Sequence, residues 1–277
     1  MLSQWLHSEP EIQVASIRRI ANLDAPQRTP FLGQLVSIAI DEQQEASVRA
    51  DALFALANVQ WKDTQFLMSL LTDANDDIAI EAARTLRSWL ARDRHPQLNN
   101  QLAQLTLRPV VAERLQLPSS GQNRSEDEWR DTLLSAKGSE ERGRRVFLDT
   151  RSQCRQCHSL NGKGGVLGPD LSNVGKSKSK AQIVDAILHP SNDFAPQYQA
   201  WIVYTSDGKS HRGLQLDHKT GGAIVLTLDD GSNRRFSAAE IEGYEASPTS
   251  LMPRGLLDLL TPGEAIDLVT FLSKSAD

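Results

Sequence analysis

The chain has only two cysteines, and they stand three residues apart with a histidine directly behind the second: Cys154-Arg155-Gln156-Cys157-His158. Two thiols at this spacing on one helical turn can each add to one vinyl group of the same porphyrin. The imidazole that follows then lies beneath the iron as a proximal ligand. The pattern therefore reads as covalent, thioether-linked haem attachment through Cys154, Cys157 and His158. Other uses of a cysteine pair stay open at this point. Structural zinc asks for four ligands, and no second pair of cysteines exists. A thioredoxin-like redox pair asks for a surrounding βαβ pattern, which is missing. With two cysteines and six histidines in 277 residues, chance would produce the arrangement roughly once in several thousand chains.

A six-coordinate haem needs a ligand on the other side. Met252 sits in Ser250-Leu251-Met252-Pro253-Arg254, in a loop shortly before the final helix. Of the other two methionines, Met1 is terminal and Met68 falls on an apolar helical face, where core packing is the expected role. His189 closes a helix, while His211 and His218 fall in a strand-rich segment. For these three a surface or packing role is expected.

The elements that must position these residues can be read from caps and turns. Ser125-Glu126-Asp127-Glu128 forms a capping box that opens a short helix through Leu134. A second helix begins near Ser139, with Glu140 and Glu141 at its positive end, and carries Val146 and Phe147 inward as far as Asp149. After the cysteines comes a glycine-rich loop, Gly162 to Gly168, closed by Pro169-Asp170-Leu171. A helix from about Ser179 to His189 follows, with Ile183, Ile187 and Leu188 on one face. From Tyr198 to Tyr244 the pattern changes to four or five short strands, with hairpin turns at Asp207-Gly208 and Asp230-Gly231. This is the pattern of a small barrel or curled sheet. Trp201 and Tyr204 within it could reach a porphyrin's propionates, although strand alternation favours core packing. Thr261-Pro262-Gly263-Glu264 starts the last helix.

Residues 1 to 117 are helical by pattern, and they repeat. Ile12, Ile17 and Ile20 recur as Val48, Leu53 and Leu56, then as Ile78, Ala83 and Leu86, with Ala52 and Ala82 at equivalent places. Acidic or polar turns precede each copy (Glu9-Pro10, Asp41 to Ser47, Asp73 to Asp77). The run Phe31 to Ile40 reads as a buried helix. Stacked helical hairpins of this kind bury their apolar faces only against one another. The copies resemble HEAT repeats with a short, irregular period. Leu117 to Arg124 breaks the periodicity as a linker. The expected organisation is mainly α: HEAT-like repeats over 1–117, a linker and short helix over 118–138, and a haem domain over 139–277 with a β insertion at 193–247.

The second half is similar to the class I cytochrome c fold: a helix, CxxCH, a Gly-Pro-Asp-Leu loop (Gly168 to Leu171), then Met-Pro before a terminal helix. That resemblance implies one haem c, with Met252 as the distal ligand and the Pro169 carbonyl accepting a hydrogen bond from the proximal imidazole. Such a bond fixes the ring and strengthens it as a donor. Small cytochromes c do not carry some fifty residues of strand before the methionine loop. The insertion resembles the haem-binding domain of large planctomycete and verrucomicrobial proteins. The residues that carry this likeness are Cys157-His158, Gly168 to Leu171, Ile187 to Ser191, Tyr204 to Gly208 and Leu251 to Leu256. In that family the domain often ends a longer protein with repeats or a dehydrogenase-like propeller upstream.

Net charge is -5, which argues against a general nucleic-acid binder. No stretch approaches the roughly 20 apolar residues of a membrane span. Between Arg142 and Lys180, however, nine Lys or Arg residues face two acids, a local balance of +7 that Glu140 and Glu141 lower to +5. A basic collar of this kind would steer an acidic redox partner; the same residues could equally be solvated helix faces. Electron transfer to or from a dehydrogenase or another redox protein is the expected function, with no catalysis in the chain itself. A haem enzyme or sensor with a labile distal ligand, or a repeat scaffold with a structural haem, are the alternatives. The c-type resemblance implies attachment outside the cytoplasm. The expected place is therefore the periplasm, and the expected chain a C-terminal piece of a longer product or one with a misplaced start, because no leader is visible.

Overall fold

The computed structural model describes residues 6, 10–23, 25–57, 63–90, 96–116 and 124–274. Met1, Glu9 and Leu117 to Asn123 of the expected linker lie outside them. The chain divides into two compact units, residues 1–121 and 122–277.

In the first unit the described helices are α1 (Pro10–Ala21), α2 (Ala25–Arg28), α3 (Leu32–Ile40), α4 (Ala46–Leu56), α5 (Thr64–Leu70), α6 (Asp76–Leu90), α7 (Pro96–Ala103) and α8 (Pro109–Leu115). The three repeated segments form α1, α4 and α6. Helix α4 packs on both α1 and α6, and α6 packs in turn on α8. The repeated apolar positions explain this. Ile17, Ile20, Leu53, Leu56, Ala83 and Leu86 are all fully buried, and the small Ala52 and Ala82 are buried between them. Ile12 departs from the pattern: it is 47% exposed where its counterparts Val48 and Ile78 are buried. Among the described residues no earlier helix covers the first turn of α1. Phe31 to Ile40 is helical as expected, but α3 buries only Leu35, Ile38 and Ala39, and Ile40 faces solvent. Charge pairs tie successive layers, with Arg18 on Asp51 at 2.8 Å and Arg49 on Asp73 at 2.7 Å.

The second unit is built on two helices far apart in sequence, α10 (Glu140–Leu148) and α14 (Pro262–Ser273), which pack closely against each other. Glycine permits the approach: a Cβ on Gly143 would fall 2.0 Å from the Asp267 carbonyl oxygen. Asp267, 2% exposed, then accepts from the Ser139 backbone N–H at 2.7 Å and pairs with Arg142 Nε at 3.0 Å. Helices α9 (Glu126–Ser135) and α13 (Lys180–Leu188) close the core with Trp129, Leu133, Ile183 and Val184. Helices α9, α13 and α14 each begin with a capping box, at Ser125–Glu128, Ser179–Gln182 and Thr261–Glu264.

Between α10 and α13 lie the single turn α11 (Cys154–Cys157), a two-stranded ribbon of β1 (Ser159–Leu160) and β2 (Lys163–Gly164), and the short α12 (Val174–Ser177). Between α13 and α14 lies an antiparallel sheet of β3 (Trp201–Thr205), β4 (Ser210–His218), β5 (Ile224–Leu228), β6 (Asn233–Phe236) and β7 (Ile241–Ala246), in spatial order β6-β5-β4-β3-β7. It is an open sheet, not a barrel. Both expected hairpin turns are present, with Gly208 and Gly231 at positive φ. Among the described residues no helix is long and apolar enough to cross a membrane.

Replacing Asp267 by Ala removes the ion pair with Arg142 and the acceptor of the Ser139 N–H at the start of α10. Urea unfolding of the full chain is expected to show a loss of about 3–5 kcal/mol. A loss below about 1 kcal/mol would mean that the α10–α14 contact does not depend on this carboxylate.

Candidate haem site

The turn α11 projects both cysteines from one face into the domain. Gln153, just before it, takes a left-handed backbone conformation, and the His158 N–H closes the turn on the Cys154 carbonyl at 3.0 Å. Cys154 packs on the α10–α14 core, while Cys157 packs on a separate small cluster of Leu167, Ala200 and Leu214. Burial pushes both thiols above their ordinary pKa, and for Cys157 the nearby Asp229 carboxylate adds to the shift. Reactive redox pairs of this spacing instead have a depressed thiol pKa. Among the described residues no group of three or more His, Cys, Asp or Glu side chains converges as a zinc site requires.

His158 leaves the turn in extended conformation, and its ring lies flat against Gly168. A Cβ there would stand 2.5 Å from the ring carbon Cε1, so any larger residue would displace the imidazole. Nδ1 lies 2.9 Å from the Pro169 carbonyl oxygen. A carbonyl only accepts, so Nδ1 carries the proton and donates, and Nε2 is left with a free lone pair. Burial lowers the His158 pKa and the Pro169 carbonyl only partly opposes this, which keeps the ring neutral, as metal ligation requires.

The loop that presents Pro169 is held by the next residue. Asp170 accepts from the hydroxyls of Ser159 and Ser172 and from the backbone N–H groups of Gly162 and Ser172. These donors, led by the Ser172 hydroxyl, hold its carboxyl far below the usual carboxylate range.

A cavity of about 500 Å³ opens beside the imidazole, lined among others by His158, Pro169, Ile187, Tyr198, Leu214 and Met252. A smaller one of about 80 Å³, on the side of Phe147 and Cys154, shares Cys157, His158 and Met252 with it. All five residues singled out from the sequence (Cys154, Cys157, His158, Pro169 and Met252) therefore border one or both of these cavities, and the larger has the size of a cofactor pocket. Two buried-side thiols, a neutral imidazole with Nε2 free, a thioether and an apolar lining form a donor set suited to haem.

Residues 140–219 match the family model of cytochrome c. The chain carries a cytochrome c domain. The match begins at the first residue of α10 and ends just after β4, before the Met252 loop. It covers under a third of the chain. No curated protein matches the chain.

Within the cytochrome c domain the remaining candidates separate cleanly. His189 caps α13, 3.7 Å from Glu126. His211 packs against Phe236 with ring centroids 5.1 Å apart and the rings tilted by 42°, and His218 meets Tyr244 at 5.4 Å. Met68, in the first unit, packs on the helical core there. Tyr204 corrects the expectation of core packing: it is 39% exposed, and its hydroxyl donates to Glu245 at 2.6 Å. Alternation puts it on the face opposite the buried Val203. Trp201 packs against the small core of the sheet, edge-on to Tyr244. The aromatic group that does line the cavity is Tyr198, together with Phe194. Both lie in the turn before β3, where no periodicity marks a residue as inward.

The basic stretch is smaller in space than in sequence. Arg142 and Arg151 are paired with Asp267 and Asp149, Arg144 with Glu141, and Arg145 is fully buried. Lys180 donates to the Ala136 carbonyl at 2.6 Å. Lys163, Lys176 and Lys178 stay exposed and Arg155 half-exposed, and Lys178 borders the cavity.

The lowered Asp170 pKa sets a pH dependence. The carboxylate stabilises the fold fully above the ordinary carboxylate range, and this is lost as pH falls through the lower folded value. Asp170→Asn is thus expected to be less stable than wild type at neutral pH, with the gap closing on acidification. Denaturant midpoints measured at several pH values check this; a gap independent of pH would contradict it.

Proposed function

We propose that residues 122–277 bind one haem c through thioethers to Cys154 and Cys157, with His158 and Met252 as axial ligands, and that the chain carries electrons. The observation that carries this reading is the 2.9 Å contact between His158 Nδ1 and the Pro169 carbonyl, made beside two cysteines on one turn and Met252 on the same cavity. When bound, the haem supplies one-electron chemistry at iron.

The chain's own residues do the rest. Pro169 and Gly168 hold the imidazole in one tautomer and orientation. Leu171, Ile187, Leu214 and Leu272 give the space an apolar lining, against which a bound haem would be shielded from water and its reorganisation on charge change reduced. The Met252 thioether favours the reduced state and so raises the potential. With His158 and Met252 both holding the iron, the chain would act as a carrier and not as an open-site enzyme.

The partner in this proposal is a redox protein, of dehydrogenase type by the family resemblance, steered by the basic groups Arg155, Lys163, Lys176 and Lys178 toward an acidic surface. Helices α1 to α8 serve as a short HEAT-like array that offers a protein contact surface, a role supported by the repeated burial pattern of α1, α4 and α6. The proposed location is the periplasm, because c-type attachment takes place outside the cytoplasm.

Met252→Ala, matured with haem, tests the ligand assignment. The midpoint potential is expected to fall, and ferric protein to bind added imidazole at least about tenfold more tightly, since the loss of even 1.4 kcal/mol of competing ligation has that effect. An unchanged potential and imidazole affinity would remove Met252 from the iron and favour an open distal site.

A further inference from the structure

The haem ligands leave the five-stranded sheet without a role. Its contacts give it one. The methionine loop leaves β7 at Ala246, and the hydrogen bonds that tie it to the rest of the domain before Met252 lead to the sheet or to the segment between α13 and the sheet. The Ser247 N–H donates to the Ala200 carbonyl at 2.7 Å, and Gln199 Nε2 donates to the Ser247 carbonyl at 2.8 Å. From β4, Arg212 Nη2 reaches the Thr249 carbonyl at 2.7 Å, the Thr249 hydroxyl at 2.8 Å and the Ser250 carbonyl at 2.7 Å. Two hydrogens are thus shared among three oxygens of the loop. The Ser250 N–H donates to the Ser191 hydroxyl at 3.1 Å, and the Ser250 hydroxyl in turn accepts from the Met252 N–H at 3.1 Å.

Apolar contacts run along the same line. Leu214, two residues beyond Arg212 on the same face of β4, is 2% exposed and lines the cavity. With Ala200 and Leu167 it forms a small core against which Leu251 and Cys157 pack. One face of β4 therefore touches both sides of the cavity, the attachment turn through Cys157 and the methionine loop through Leu251. Arg212 Nε is buried without a hydrogen-bond partner among the described residues. Such a cost is accepted where the rest of the guanidinium is committed to a specific task.

We infer that the inserted sheet is a positioning device for the Met252 thioether, and that Arg212 is the residue through which it acts. A loop between two helices would otherwise be free to swing the thioether off the iron. Held by the charged Nη2 group of a planar guanidinium on a rigid strand, it presents Met252 at a fixed place. Arg212 is a positioning residue: it acts on the ligand through Thr249 and Ser250. The inference rests on Met252 being the distal ligand, as proposed above.

The test compares wild type, Arg212→Ala, Arg212→Lys and the exposed-residue control Arg235→Ala, each as full chain matured with haem. The readouts are the thioether-to-iron charge-transfer absorption of the ferric form, the affinity for added imidazole and the midpoint potential. Arg212→Ala is expected to retain covalent haem but weaken the thioether band, bind imidazole about tenfold more tightly, as loss of a hydrogen bond from a charged donor implies, and show a lower potential. Arg212→Lys, which keeps the charge on a shorter side chain that does not reach all three oxygens, is expected to fall between, and Arg235→Ala to match wild type. If Arg212→Ala fails to mature, Arg212→Lys carries the comparison. A thioether band present in wild type and unchanged in both Arg212 variants overturns the clamp alone. A wild-type protein with haem but no thioether band overturns the Met252 assignment, and the clamp with it.

Discussion

The hydrogen bond between the His158 imidazole and the Pro169 carbonyl is the constraint on which the site depends. It fixes which ring nitrogen is protonated, and so which one is free to bind a metal. Several features of the second unit serve that contact. Gly168 has no side chain because the ring occupies the space. Asp170 gathers four donors to hold the loop that carries Pro169. The left-handed Gln153 starts α11 at the angle that sends Cys154 to one core and Cys157 to another. The α10–α14 crossing, made possible by Gly143, is the platform from which this turn departs.

The same constraint explains how a five-stranded sheet can be accommodated, and used, between α13 and α14. The His158 side of the site is complete by Leu171, before the sheet begins. The chain beyond α13 has only to return to α14 with Met252 facing the cavity. A bare loop of that length would be costly to order. A sheet with its own small core of Val203, Leu226 and Phe236 makes those residues a rigid wall instead, and contributes Leu214 to the pocket and Arg212 to the loop.

Much of this was legible in the residues. The CxxCH spacing, the three capping boxes and the Gly-Pro-Asp-Leu loop each rest on local chemistry, and local chemistry is what a sequence records best. The recurring apolar positions of the first unit were visible because burial recurs with the helix period, although periodicity could not show that Ile12 is half exposed. The failures have the same cause in reverse. Tyr204 has the composition of a core residue, but one step of strand register turns it outward. The basic stretch looked continuous as charge, yet Arg145 is buried and Arg142, Arg144 and Arg151 are each paired. Arg212 carried no signal at all, because its partners Thr249 and Ser250 lie 37 and 38 residues away and meet it only through the topology of the sheet.

Covalent attachment is the central claim, and a denaturing gel stained for haem tests it most directly. Wild-type protein produced with a c-type maturation system is compared with Cys154→Ala/Cys157→Ala. The stain is predicted to stay with the wild-type band and to vanish from the double variant. A wild-type band that does not stain beside a control cytochrome that does would contradict the claim.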